Sequence, residues 1–306
     1  MNDPIISVCV ICYNQSEYIG QCLESIVKQE FSGVYEVVVA DDYSTDNTLD
    51  IVNSYKAKYP DLIKVIKSEG NIGVAANIIK AMSKCEGEYI ALCEGDDFWI
   101  CNEKLEMQLD FFKKNETCSY LFTNKKILDG ENMVEEECYD FSLIPLRELL
   151  KRNIMPGTPT IMFKSKYLPK VFPSFVYEAF NVDWCLLFFE GWKGDIGYID
   201  KPTAVHRRNV GVISKSINSF KFLNGLKTNK ALNLYTNKEY DFHIGNFEWH
   251  LESICNSYLE EGLRLNALKY FCKKILYSLI NNKIKFFVSK NTLFIKHFAK
   301  SVLLKK

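Results

Sequence analysis

The chain has 306 residues, 47% hydrophobic and 25% charged, and its 38 Lys plus Arg balance 38 Asp plus Glu. That is the make-up of a globular protein able to bury a core, and no stretch approaches the roughly 18 uncharged apolar residues of a spanning helix. The 11 cysteines are odd in number and scattered, which argues against a disulfide framework and for reduced thiols in a cytosol.

Taken in chain order, Ile5–Cys12 predicts a continuous apolar strand. Glu17–Gln29 follows with helical spacing at Ile19, Cys22, Leu23 and Ile26. Tyr35–Ala40 predicts a second strand ending at Asp41-Asp42, and Ser44-Thr45-Asp46 then cap a helix from about Thr48 to Lys58. Leu62–Ile66 reads as a third strand, Asn71–Lys84 as loop and helix, and Glu88–Leu92 as a fourth strand. Leu105–Lys114 is a helix and Ser119–Thr123 a strand. This alternation implies an α/β fold, a mostly parallel sheet covered by helices on both faces. The opening MNDPIISVCVICYN has no basic region or small-residue cleavage site, so no signal peptide is expected. Cys9 and Cys12 have CxxC spacing, but residues three apart on a strand face opposite sides, so they read as structural.

After Gly130 the rhythm changes. Glu131–Glu137 reads as a polar surface excursion, Ile144–Lys151 as a short helix and Thr158–Lys164 as a strand. Val182–Glu190 is a strongly apolar helix opened by Asn181 and Asp183, and Gly197–Ile199 and Thr203–Arg207 read as two short strands near a sheet edge. From Ser216 the pattern is helical, which places a boundary near residue 215 between a domain over 1–215 and a basic helical region over 216–306. Residues 264–306 carry 11 Lys plus Arg and no Asp or Glu. Two readings of that tail stay open: the solvated face of packed helices, or an amphipathic surface lying on anionic lipid. No nucleic-acid motif accompanies the charge, and no nucleic acid is expected as a partner.

Ligands of such sheets bind outside the carboxyl ends of the strands. Three ends carry polar clusters here: Cys12-Tyr13-Asn14-Gln15, Asp41-Asp42-Tyr43-Ser44 and Glu94-Gly95-Asp96-Asp97. Each alone could be a turn or a helix cap. Together they crowd one rim with acids, which suits a cation or ligand hydroxyls and ring N–H groups in need of acceptors. Neither GxxxxGK[ST] nor GxGxxG is present, so phosphate charge would be met by a metal on carboxylates, of the magnesium or manganese kind. Adjacent carboxylates repel, so an empty site of this kind favours a cation. Gly95 is expected to leave room for close ligand approach.

Three segments carry a family resemblance: SVCVICYNQSEYIGQCLESIVKQ, EVVVADDYSTDNT and NIGVAANIIKAMSKCEGEYIALCEGDDFW, within residues 7–99. They resemble family-two glycosyltransferases of the GT-A fold, and weaker similarity continues through KLEMQ (104–108), NVDWCLLF (181–188) and HRRNVGVIS (206–214). The resemblance implies a GT-A fold, with Mn2+ or Mg2+ as cofactor. It implies inverting transfer from a nucleotide-diphosphate sugar, a UDP-sugar being the expected donor. The implied acceptor is a hydroxyl of a glycan or lipid-linked glycan in cell-surface polysaccharide synthesis. The setting is then cytoplasmic, peripheral on the inner face of the membrane.

Residue by residue, the resemblance places Asp42, with Asp41 beside it, at the nucleotide base. Ile11, Tyr13 and Asn14 border base and ribose, and Asn77 lies on the donor side. Glu94-Gly95-Asp96-Asp97 matches the DXD-type motif, with Asp97 as metal ligand, Asp96 at the ribose or in the metal shell and Glu94 in support. Asp183 is the expected base for the acceptor hydroxyl; the acid usual before it is Val182 here. Arg207 is expected to face the diphosphate. Asn209 stands where relatives often have His, and is a poor metal ligand. His206 and Trp99 are expected near the sugar or acceptor. Two rivals remain. A nucleotidyltransferase would need a glycine-rich basic loop that Tyr13-Asn14-Gln15-Ser16-Glu17 lacks. A catalytically impaired carbohydrate- or nucleotide-binding module gains from Val182 and Asn209 and loses from the intact acids.

Overall fold

Seven apolar or small residues in a row, Ile6–Cys12, form strand β1 and are buried along their whole length, as a strand covered on both faces requires. The structure, a computed structural model, describes residues 3–136, 138–152, 154–211, 218–236 and 243–280. The chain divides into two units, Met1–Lys215 and Ser216–Lys306. In the first, β1 is followed by α1 (Ile19–Val27), β2 (Tyr35–Asp41), α2 (Thr48–Lys58), β3 (Ile63–Lys67), α3 (Val74–Met82) and β4 (Tyr89–Glu94). Then come β5 (Phe98–Trp99), α4 (Lys104–Lys114), β6 (Cys118–Asp129), β7 (Asn132–Glu135), β8 (Leu143–Ile144), α5 (Leu146–Lys151), β9 (Met162–Lys164), α6 (Val182–Gly191) and β10 (Asp195–Arg207).

The strands form one sheet in the order β3-β2-β1-β4-β9-β6-β10-β5, with β7 beside β6 and β8 beside β10. The first four are parallel, and the register sets Ile11 opposite both Ala40 and Glu94. Their carboxyl ends are therefore level, which is why three sequence-distant polar clusters share one rim. Beyond β4 the sheet is mixed: β9 runs antiparallel to both β4 and β6, while β6 and β10 are parallel.

Several boundaries differ from the sequence reading. Strand β6 continues six residues past Thr123 to Asp129 and turns through Gly130 (φ 62°) into β7. Every β7 residue is exposed, so the polar excursion had no buried face to mark it as a strand. The two short strands near the edge are one, β10, whose register slips on either side of Pro202. Proline donates no N–H to a ladder, so the strand bulges there instead of ending. Thr158–Lys164 divides into a 3-10 turn, Thr158–Thr160, and the short β9.

Helix α1 buries Ile19, Cys22, Leu23 and Ile26 against β1 and its neighbours, and α4 adds Leu105, Leu109 and Phe112 to the same core. Every residue of α6 is buried except Asp183. In the second unit, α7 (Asn218–Tyr235), α8 (His243–Glu260) and α9 (Arg264–Ile280) bring together Leu226, Leu251 and Ile254. The expectation for the basic tail falls largely on residues 281–306, outside the described residues. Among the described residues no helix is long and apolar enough to cross a membrane.

Lys104 is fully buried at the start of α4, its Nζ bonded to Gln108 and 4.6 Å from the Trp99 ring centroid. Burial pulls its pKa from 10.5 down to about 7. The unfolded chain holds that proton to higher pH, so from about pH 7 to 10 the unfolded state binds more protons and stability rises with pH. Urea melts between pH 7 and 9.5 should show this rise in the wild type. Lys104→Met should flatten it by up to about 1.4 kcal/mol per pH step of one; parallel pH curves would refute the assignment.

Candidate functional site

The turns after β1 and β2 are sewn together. Asp42 N–H donates to the Cys12 carbonyl (3.0 Å), Asn14 N–H to Ser44 Oγ (3.0 Å) and Thr45 N–H to Asn14 Oδ1 (2.8 Å). Gln15 N–H meets Thr48 Oγ1 at 2.7 Å and Ser16 N–H meets Asp46 Oδ2 at 3.1 Å. Asn14 (φ 51°) takes the left-handed conformation this needs, which asparagine tolerates better than most residues. Asp41 is buried beneath the turn and accepts Ser44 N–H at 3.0 Å. Asp42, 3% exposed, accepts Ile72 N–H (2.8 Å) on one oxygen and Gly73 N–H (2.9 Å) on the other, fixing the loop into α3. Asn77, expected on the donor side, is instead buried with its amide on the Ala40 carbonyl (3.0 Å), where it ties α3 to β2.

At the end of β4, Glu94, Asp96 and Asp97 bring one carboxylate oxygen each to within 4.8 Å of the others. Burial first, and then mutual repulsion, push Glu94 well above the carboxylate range and Asp96 up to about 6. The two neighbouring aspartates divide their tasks. Asp97 is wholly buried, accepting Arg207 N–H (2.8 Å) on Oδ1 with His206 Nδ1 3.1 Å from Oδ2. The Asp96 carboxylate takes its own backbone N–H and feels the His206 and Arg207 charges without the two-sided clamp that holds Asp97, so Asp96 has the freer oxygens. Gly95 does not open a ligand space. A Cβ there would lie 2.4 Å from Gln15 Oε1, 2.9 Å from Ile19 Cδ1 and 3.0 Å from Cys12 Cβ. The glycine lets the acidic loop pack on the start of α1.

The last two residues of β10 alternate across the sheet. Arg207 turns toward α1, donating to the Asp96 carbonyl and Gln21 Oε1, with its guanidinium 5.0 Å from the Tyr18 ring centroid and 4.6 Å from that of Phe98. His206 turns the other way. Burial is the largest influence and works against its charge, but the Asp97 hydrogen bond together with the negative charge of Asp97 and Asp96 outweighs it and lifts its pKa above the ordinary value. Asp183, in the first turn of α6, accepts Trp184 N–H at 2.9 Å, and burial raises its pKa. Lys125 and His206 both act on Asp183 electrostatically, and Asp183 in turn acts on Glu94, so these groups form one field.

Lys125 was not among the expected site residues; Asn124-Lys125-Lys126 looks like the end of a strand, and only the extended β6 carries it to the rim. Trp99 departs from expectation too: it is 3% exposed, packed in the core with Nε1 on the Pro159 carbonyl (3.0 Å), and offers no face to a sugar. Asn209 (φ 64°) makes the turn after β10, while residues 212–214 lie outside the described residues.

Residues 7–171 match the family profile described as glycosyl transferase family 2. The chain belongs to that family. Rv1520 of Mycobacterium tuberculosis is 32% identical over 207 residues, covering 67% of this chain and 59% of that protein. The chain thus spans about three fifths of the length of this curated relative. In fold it is similar to S. aureus TarS 1-349 in complex with UDP-GlcNAc, at TM-score 0.67 and 22% identity over 88% of this chain and 81% of that one. It is similar also to the mannosyltransferase PcManGT from Pyrobaculum calidifontis in complex with GDP-Man and Mn2+, at TM-score 0.57 and 16% identity over 100% of this chain and 89% of that one. Both likenesses are of the GT-A fold.

Because Gly95 faces protein, Gly95→Ala in this family-two domain should cost on the order of 1–3 kcal/mol. A thermal melt lowered by several degrees would agree; an unchanged melting temperature would show that the α1 contact gives way freely.

Proposed function

We propose that the protein transfers a sugar from a nucleotide-diphosphate sugar to an acceptor hydroxyl with inversion. The observation that carries this reading is the convergence on one rim of the Asp42 loop, the acidic trio and Asp183, the one residue of α6 that is only half-buried. The solved neighbours hold UDP-GlcNAc and GDP-Man with Mn2+, which supports a nucleotide sugar as donor; a UDP-sugar is the form proposed here.

The trio fits a divalent ion: three hard oxygen donors within 4.8 Å of each other, two of them buried and one half-buried. Asp96, with Asp97 and with Glu94 in support, would hold Mn2+ or Mg2+. Such an ion, when bound, supplies positive charge to the leaving diphosphate. The residues of the chain do the rest. Ile11, Tyr13, Asn14 and the Asp42 carboxylate seat base and ribose, with Asp41 fixing the turn beneath. Asp183 takes the proton of the acceptor hydroxyl as that oxygen attacks the anomeric carbon. Arg207 acts through the Asp96 carbonyl, holding the acidic loop in place, and His206 orients Asp97. The acceptor we infer is a glycan or lipid-linked glycan of cell-surface polysaccharide synthesis, met at the inner face of the membrane. The 11 cations and absent acids of residues 264–306 support that placement.

Transfer assays with UDP-, GDP- and dTDP-sugars plus Mn2+ test the reading. Asp183→Asn should lower kcat by about 10²–10⁴-fold and leave UDP affinity within a few-fold, while Asp96→Ala should abolish the Mn2+-dependent part of UDP binding. A wild type that neither transfers nor hydrolyses any of these donors would overturn the proposal.

The base must be ionised and burial raises its pKa. Activity should therefore fall as pH drops through a midpoint above the ordinary aspartate value of about 3.9. A kcat/KM profile flat down to pH 4 would contradict the assignment of Asp183.

A further inference from the structure

Lys125 is a buried cation with a prepared seat. Its side chain is 9% exposed, and its Nζ bonds Glu136 Oε2 at 2.6 Å. Lysine is seldom buried this far unless something holds it there. Part of the seat is Gly157: a Cβ at that position would lie 2.7 Å from Lys125 Cδ, 2.9 Å from Cε and 3.1 Å from Nζ. The missing side chain at 157 is the channel through which the lysine stem runs.

Strand register says where that channel leads. Lys125 pairs with Ala204, and Ala204 pairs with Trp99 on its other side. Paired residues share a face and strand residues two apart share it too, so Lys125 and His206 are diagonal neighbours on one face. Arg207 is on the other face, occupied by the Asp96 carbonyl and Gln21. Asp183 lies within electrostatic reach of the Lys125 ammonium, which favours its ionised form.

The partner of Lys125 is the less firmly held member of the pair. Glu136 is 30% exposed and follows β7, whose residues are all exposed. An ion pair whose acid reaches solvent contributes little net stability. Its carboxylate can therefore be exchanged for another oxyanion without a large penalty.

Resting on the transferase reading above, we propose that Lys125 is a substrate-binding residue: its ammonium takes an oxyanion of the bound substrate beside Asp183, and Glu136 occupies that place until the substrate displaces it. The oxyanion is a phosphate of the donor or a carboxylate or phosphate of an acidic acceptor; the chemistry is shared, and the probes below separate the sources.

The test compares wild type, Lys125→Met and Glu136→Gln by calorimetry with Mn2+ present. The paired probes are uridine against UDP, and methyl glucoside against methyl glucuronoside with UDP bound; pyrophosphate alone is the fifth. Lys125→Met should weaken the anionic member of at least one pair by about tenfold or more and spare its neutral counterpart. A loss confined to UDP assigns the donor phosphate, and a loss confined to the glucuronoside assigns the acceptor side. Glu136→Gln should tighten the same anionic probe, because it frees the ammonium. A merely structural ion pair would instead weaken all probes equally in both variants, or leave them unchanged, and either result overturns the proposal. Should the wild type bind no uridine or UDP, the transferase reading fails separately, and the pyrophosphate arm alone decides Lys125: lost binding in Lys125→Met keeps it, equal binding ends it.

Discussion

Three carboxylates within 4.8 Å of one another at the end of β4 are the constraint around which the rim is organised. With Asp96 raised from 3.8 to about 6, keeping it ionised at neutral pH costs on the order of 3 kcal/mol. The fold meets part of that cost through β10. The Arg207 N–H and His206 relieve Asp97, and the Arg207 guanidinium holds the Asp96 carbonyl. The Asp96 carboxylate is held by its own backbone N–H rather than clamped from β10. A cluster that is anchored at one acid and open at the next is suited to receive a cation in a fixed place.

The anchoring depends on a strand that changes face at each residue. His206 and Arg207 are consecutive, so the pleat sends one side chain toward Lys125 and the other toward Tyr18, Gln21 and Phe98. One short stretch of β10 thus serves two layers. Arg207 stiffens the loop from the α1 side, and His206 joins the polar face where Asp183 stands. This division explains why an arginine expected at the diphosphate is instead locked against aromatic rings, and why the cation on the Asp183 side is a lysine from a different strand.

The parallel half of the sheet was legible because β1, β2 and β4 are apolar runs covered on both faces and end abruptly in polar residues. Hydrophobic pattern and turn chemistry agreed there. In the second half they did not. Strand β6 keeps its ladder through Asn124-Lys125-Lys126, where polarity suggests a loop, because its neighbour β10 and the β7 hairpin supply hydrogen-bond partners that no local pattern reveals. The apolar pattern splits β10 into Gly197–Ile199 and Thr203–Arg207, whereas in the fold the strand only bulges at Pro202. Gly95 and Trp99 misled for a related reason: both residue types suit ligand contact, and only the packing of α1 and the core decides that here they face protein. Asp42, Asp96, Asp97 and Asp183 were legible as candidates, yet which aspartate of the adjacent pair stays free depends on hydrogen bonds from 110 residues away.

These two halves also differ in how they are held. The wall at the ends of β1 and β2 is closed by stitching between two turns, with Asn14, Gln15 and Ser16 bonded to Ser44, Thr45, Asp46 and Thr48. Such a clasp fixes the spacing of β1 and β2 and leaves little freedom to reshape the wall without losing several hydrogen bonds at once. The opposite wall is assembled from Lys125 on β6, Asp183 on α6 and His206 on β10, joined through single contacts and electrostatics, with the exposed β7 hairpin beside it. A substitution there alters one contact and spares the sheet. The β1–β2 wall is therefore the constrained half of this rim, and the wall where Lys125 and Glu136 meet is the half that tolerates change.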